Sequence, residues 1–151
     1  MKLELNPALT DFQPLTGRWT VEITWSEQTH KLVGGPKRVH GSASFAASTD
    51  GGFLMHTIGG EGGPVAKWMI GRDETSGVFV ALYADSRGVC RIYQMSFAGD
   101  VWKIWRNAHG FHQRFTGRIG PDRRSIEARW EKSDDGTTWE TDFDLQYTKA
   151  E

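Results

Sequence analysis

The feature that most constrains this chain is a two-residue alternation of apolar and polar side chains, repeated along nearly its whole length. Near the C-terminus Trp139, Thr141, Phe143, Leu145 and Tyr147 alternate with Glu140, Asp142, Asp144, Gln146 and Thr148. Just upstream, Ile126, Ala128 and Trp130 alternate with Glu127, Arg129 and Glu131. A strand sends successive side chains to opposite faces, so each segment reads as a strand with one dry and one wet side. The Asp135-Gly136 pair between them is a hairpin signal.

The same pattern predicts about ten strands. They run near 17–26, 38–47, 52–59, 65–72, 77–84, 88–97, 101–107, 111–119, 126–131 and 139–149. Every connection is short except Glu27 to Lys37, so sequence neighbours are expected to pair antiparallel. A single open layer would leave two bare edges and an unburied apolar face. Curling into a closed up-and-down barrel removes both. A two-sheet sandwich needs longer Greek-key returns, and none is visible. The expectation is an all-β, single-domain barrel spanning 1–151, with residues 1–16 (Leu9, Phe12 and Leu15 among them) plugging one end.

Length and charge fit one folded domain: 151 residues, with 18 basic against 19 acidic side chains for a net charge of −1. No basic surplus points to nucleic acid, and no apolar run approaches a membrane span. Met1 to Thr10 carries no apolar stretch of signal-peptide length, and Cys90 is alone. These features imply a reducing, cytoplasmic setting, with Cys90 expected as a packed thiol.

At Leu15-Thr16-Gly17-Arg18-Trp19 the chain resembles the calycin superfamily, in which a Gly-x-Trp opens the first strand of an up-and-down barrel. That superfamily includes lipocalins, fatty-acid-binding proteins, avidins and haem-binding nitrobindins. The segments Tyr83–Val89, Gly71-Arg72-Asp73, Gly110–Gly117 and Trp130 through Asp144 resemble small bacterial lipocalin-like proteins of unassigned function. The resemblance spans Leu15 to Lys149. It implies that Trp19 packs across the closed end and that a basic residue of the last strand, here Lys149, lies over it. Three departures stand out. Lipocalins proper carry signal peptides and disulfides, the 27–37 link is too short for the two-helix lid of fatty-acid-binding proteins, and no histidine follows His112 to serve as the nitrobindin haem ligand.

In an up-and-down barrel alternate connections fall at opposite ends. Ser48–Gly52, Asp73–Gly77, Ala98–Asp100 and Gly120–Ser125 are compact polar turns at the end where Trp19 begins, which reads as shut. The long link Glu27–Lys37 lies at the other end with Asp85–Gly88, Asn107–Gly110 and Ser133–Thr138, together with Gly59–Gly63, read as a loop of the rim. All five histidines are assigned to that half, so the pocket is expected there. The candidate binding residues are Trp25, His40, His56, Trp68, Tyr83, Arg91, Tyr93, Trp105, His112 and Trp139. Trp102 and Trp105 sit on opposite faces of one strand, and the pattern leaves open which points inward. His109 and His112 match no strong zinc spacing, so no metal is expected.

The leading expectation is a barrel that binds a small, largely apolar or aromatic molecule. Aromatic walls would supply contact, with Arg91, Tyr83 and a histidine holding a polar group. The alternative is a cofactor-independent isomerase or cyclase, in which His56 or Tyr83 moves a proton and Arg91 steadies an oxyanion. Haem binding through a mouth histidine is the third possibility; otherwise no cofactor is expected. A homodimer contact through an outward aromatic completes the list of partners.

Overall fold

The computed structural model describes residues 4–60 and 64–150. Ten strands follow one another: β1 (Gly17–Trp25), β2 (Arg38–Ala47), β3 (Leu54–Gly60), β4 (Val65–Arg72), β5 (Phe79–Asp85), β6 (Cys90–Ala98), β7 (Val101–Arg106), β8 (His112–Ile119), β9 (Ser125–Ser133) and β10 (Glu140–Lys149). Each pairs antiparallel with its sequence neighbours, and β1 pairs with β10, so the sheet closes on itself. The expected up-and-down barrel is thus the observed one. Of the Gly59–Gly63 segment, Gly59 and Gly60 end β3, and the rest lies outside the described residues.

The barrel is closed at the end where β1 starts. A 3-10 helix over Pro7–Leu15, capped by the Asn6 side chain on the Ala8 amide, turns Leu9, Phe12 and Leu15 into the interior. Phe12 meets Phe79 edge-on at 4.8 Å. Trp19 donates its indole N–H to the Leu15 carbonyl at 2.9 Å, joining plug to wall. The Lys149 ammonium stands 4.6 Å above the Trp19 ring, where a basic residue of the last strand is expected, and it also donates to the Thr16 carbonyl. Gly17 makes this approach possible. Its φ of +117° disfavours any side chain, and a Cβ there would sit 2.8 Å from the Lys149 nitrogen.

Above the plug the interior is filled with rings. Phe45, Trp102, Phe115 and Tyr147 are almost wholly buried, and Trp102 contacts the other three at 4.6–5.9 Å. Trp102 and Ile104 therefore face inward, which sends Trp105 outward. His56 belongs to this deep layer, because β3 starts at the closed end and His56 is its third residue. Its imidazole stacks on Phe45 with centroids 3.9 Å apart, and Nδ1 lies 3.1 Å from the Ser44 carbonyl.

At the other end a single helix, α1 (Glu27–Val33), occupies the long link. Ser26 caps it by accepting from the Thr29 amide, and Gly34 ends it at φ +75°. On the outer wall a row of apolar side chains crosses four strands through direct pairings: Met55, Met69, Leu82 and Ile92. Cys90 sits on the same outer side and is exposed, not the packed thiol expected, because the alternation that buries Tyr93 turns it out.

Two outcomes test this account of the core. Phe12→Ala should cost about 3–5 kcal/mol in urea unfolding, the usual toll of emptying a buried aromatic site. A loss under about 1 kcal/mol would show that the plug is no part of the core. Burial holds the His56 pKa down to about 4 from 6.5. Below pH 6.5 the unfolded chain therefore takes up a proton that the native state refuses. Stability should be complete above that pH and fall by on the order of 3 kcal/mol as pH drops to 4. His56→Leu should remove this component, read as a smaller shift in urea midpoint between pH 7 and 4.5. Equal shifts in both proteins would contradict it.

Candidate functional site

The inner wall changes character with depth. On β1, Trp19 and Val21 are buried, whereas Ile23 and Trp25 on the same face are partly exposed. Elsewhere around the barrel, His56 gives way to Ile58, Ala81 to Tyr83, Tyr93 to Arg91, and Leu145 to Phe143. Exposure on this face thus falls from the open end to a floor of Trp68, Tyr93 and Trp130, which are 5%, 2% and 7% exposed. These three rings interlock at 4.9–6.2 Å. The result is a shallow aromatic cup with Ile23, Trp25, Ile58, Tyr83 and Phe143 as walls.

Polar groups ring the cup. Register places Arg106 opposite Gln113, and Gln113 opposite Lys132, so the three form an inward row. The Tyr93 hydroxyl donates to Gln113 Oε1 at 2.7 Å. Lys132 donates to Thr29 Oγ1 at 3.1 Å and lies 3.6 Å from the Asp142 carboxylate, tying α1 to the rim. Arg106 sits 5.7 Å over the Tyr93 ring; Arg91 sits 5.9 Å over Tyr83 and 5.1 Å over Phe111. Burial raises the Tyr93 pKa, while the positive charges of Arg91 and Arg106 oppose that rise. The Tyr83 hydroxyl donates to Asp85 at 2.6 Å, and burial with this acceptor pushes its pKa up to about 12. Arg87, 2.7 Å from Asp85, holds that carboxyl well below the usual range. The Trp68 indole N–H is buried without an acceptor among the described residues.

Five of the ten residues chosen from the sequence come together here: Trp25, Trp68, Tyr83, Arg91 and Tyr93. His56 lies beneath the floor. The other four stand on the outer wall. His40 is exposed and 3.9 Å from Glu22. Trp105 donates to Gln94 Oε1 at 2.6 Å on the outside. His112 alternates outward between Phe111 and Gln113 and borders Gly136. Trp139 is turned out by a bulge between Thr141 and Phe143, which shifts the β9–β10 register by one residue and leaves its ring under Arg114 at 4.1 Å. Histidines gathered at one end by chain position are therefore not gathered on one face. Gln113, Lys132, Trp130 and Phe143 join them without a signal that singled them out, and the alternation that buries Trp102 and Ile104 turns Arg106 inward as well.

A haem does not fit the one interior imidazole among the five histidines, all of them described. Phe45, Trp68 and Trp102 enclose His56 with ring centroids at 3.9, 6.2 and 6.1 Å, which leaves no width for a porphyrin. No group of three metal-binding side chains forms among the described residues. Two outer concavities exist. One of about 440 Å³ lies between Glu22, Arg118, Glu127 and Arg129, where Arg129 already faces Asp144 at 2.7 Å. The other, about 720 Å³, lies beside Asp50, Phe53 and Met69 near the closed end. Neither has the cup's aromatic walls.

No family model and no curated protein matches the chain. Among solved structures it is similar to Rv2717c from M. tuberculosis, with a TM-score of 0.69 at 17% identity, covering 98% of this chain and 100% of that one. At that identity the likeness extends to the fold: a ten-strand antiparallel barrel.

Proposed function

We propose that this protein binds a small, largely apolar molecule in the aromatic cup at the open end of a calycin-like barrel. The supporting observation is the loss of burial on the inner wall: Ile23, Trp25, Ile58, Tyr83 and Phe143 face inward yet remain partly exposed. Apolar side chains in that position gain by covering with a ligand, at about 25 cal/mol per Å² of surface removed from water. Proton-transfer chemistry has weaker support. His56 lies under the floor, and the Tyr83 proton is held by Asp85.

Native mass spectrometry of freshly purified protein should reveal a co-purifying small molecule, or calorimetry should detect an added naphthyl or acyl probe. Trp25→Ala should weaken probe binding about tenfold, since roughly 60 Å² of lost contact is worth about 1.4 kcal/mol. Ile58→Trp should block the cup, and Trp105→Ala on the outer wall should change nothing. Binding that Ile58→Trp leaves intact would place the ligand elsewhere; no binding of any apolar probe would refute the proposal.

A further inference from the structure

The inner rim of the cup holds positive charge that no carboxylate among the described residues neutralises. Outer-wall arginines meet carboxylates: Arg114 faces Glu131 at 2.9 Å and Arg129 faces Asp144 at 2.7 Å. On the rim, Lys132 has Asp142 and Arg87 has Asp85. Arg91 and Arg106 differ. Both point inward and are only partly exposed, and neither has a carboxylate partner among the described residues. Their ring contacts are the faces of Tyr83, Phe111 and Tyr93, and both guanidiniums also reach the Tyr93 hydroxyl, which engages only part of their five N–H donors each. The two cations flank the same tyrosine, so they repel each other across a region partly shielded from water. An anion between them would relieve that repulsion and take up the donors that Tyr93 leaves over.

We propose that Arg91 and Arg106 clamp the carboxylate of an amphipathic acid whose aryl or acyl body rests on Trp68, Tyr83 and Trp130. This rests on the cup being the binding site and names the chemical class of its ligand. A planar carboxylate matches the fork of a guanidinium, and two forks on neighbouring strands can each supply a charge-assisted hydrogen bond. Gln113 extends the polar end of the site, because its carbonyl is engaged by Tyr93 and its amide N–H groups remain for a ligand oxygen. The apolar floor and charged rim together select against both wholly neutral and wholly polar molecules.

The test compares matched pairs by calorimetry: 1-naphthaleneacetate against its amide, and decanoate against decanol. The wild-type protein should bind the acid of at least one pair about tenfold or more tightly than its neutral mate, the scale of one charge-assisted hydrogen bond. Arg91→Gln and Arg106→Gln should each erase most of that preference, lowering the acid's affinity far more than the neutral compound's. Arg106→Lys, which keeps charge but not the fork, should retain part of it. Raising salt to 1 M should also shrink it, because screening then acts over about 3 Å. Thermal melts of the variants confirm folding, and the wild-type comparison needs no variant. Equal affinity for acid and neutral mate, or an unchanged preference in both Gln variants, would overturn the clamp while leaving the binding cup in place. Failure of all four probes to bind would instead remove the cup as a binding site, and the clamp with it.

Discussion

Closure of the hydrogen-bond ladder between the first and last strands decides everything else in this protein. Seven residue pairs, from Trp19 with Lys149 to Trp25 with Phe143, join β1 to β10. Once they form, no strand has a free edge and every inward side chain shares one enclosed volume. An inward arginine on β6 or β7 can no longer escape to solvent on the far side of a sheet. Closure also brings Lys149 from near the chain's end over Trp19 near its beginning, so the shut end is held by residues from both termini.

The two ends then follow different physics. At the plugged end tight turns meet a 3-10 helix, and rings pack to full burial. At the other end the strands run on to α1 and to short links, and the inner side chains become partly wet. A depth gradient results: apolar plug, aromatic layer with one neutral imidazole, aromatic floor, cationic rim. Such a gradient suits an amphipathic guest, whose two halves find matching surroundings in one orientation only.

The fold was legible because each strand carries its own alternation and each turn its own Gly or Asp signal. Those are local facts, and ten of them in series leave few topologies open. The site was half legible. Trp25, Trp68, Tyr83, Arg91 and Tyr93 followed from face and end together. His40 and His112 follow from end alone, although the period of their strands turns them out, whereas Trp105 stands on a strand with aromatics on both faces, where the period leaves the choice open. Trp139 is a different kind of miss. Its alternation with Phe143 is regular in sequence, and only the bulge near Thr141 reverses its face. A one-residue slip is set by pairing with β9, which no single segment encodes. His56 shows a third limit: the stagger of strands around a cylinder sets depth, and chain position gives it only coarsely.

The crowding of indoles around the floor has an optical consequence. Trp68 and Trp130 lie 6.2 Å apart, Trp102 touches the layer beneath them, and Trp25 meets Phe143 at the rim beside Trp130. At such spacing, excitation absorbed by one indole passes readily to its neighbours, so the emission of most of the set is shared. A guest that quenches the two floor rings would dim the whole group at once. The packing that shapes the cup therefore also ties the emission of these indoles to whatever touches any one of them.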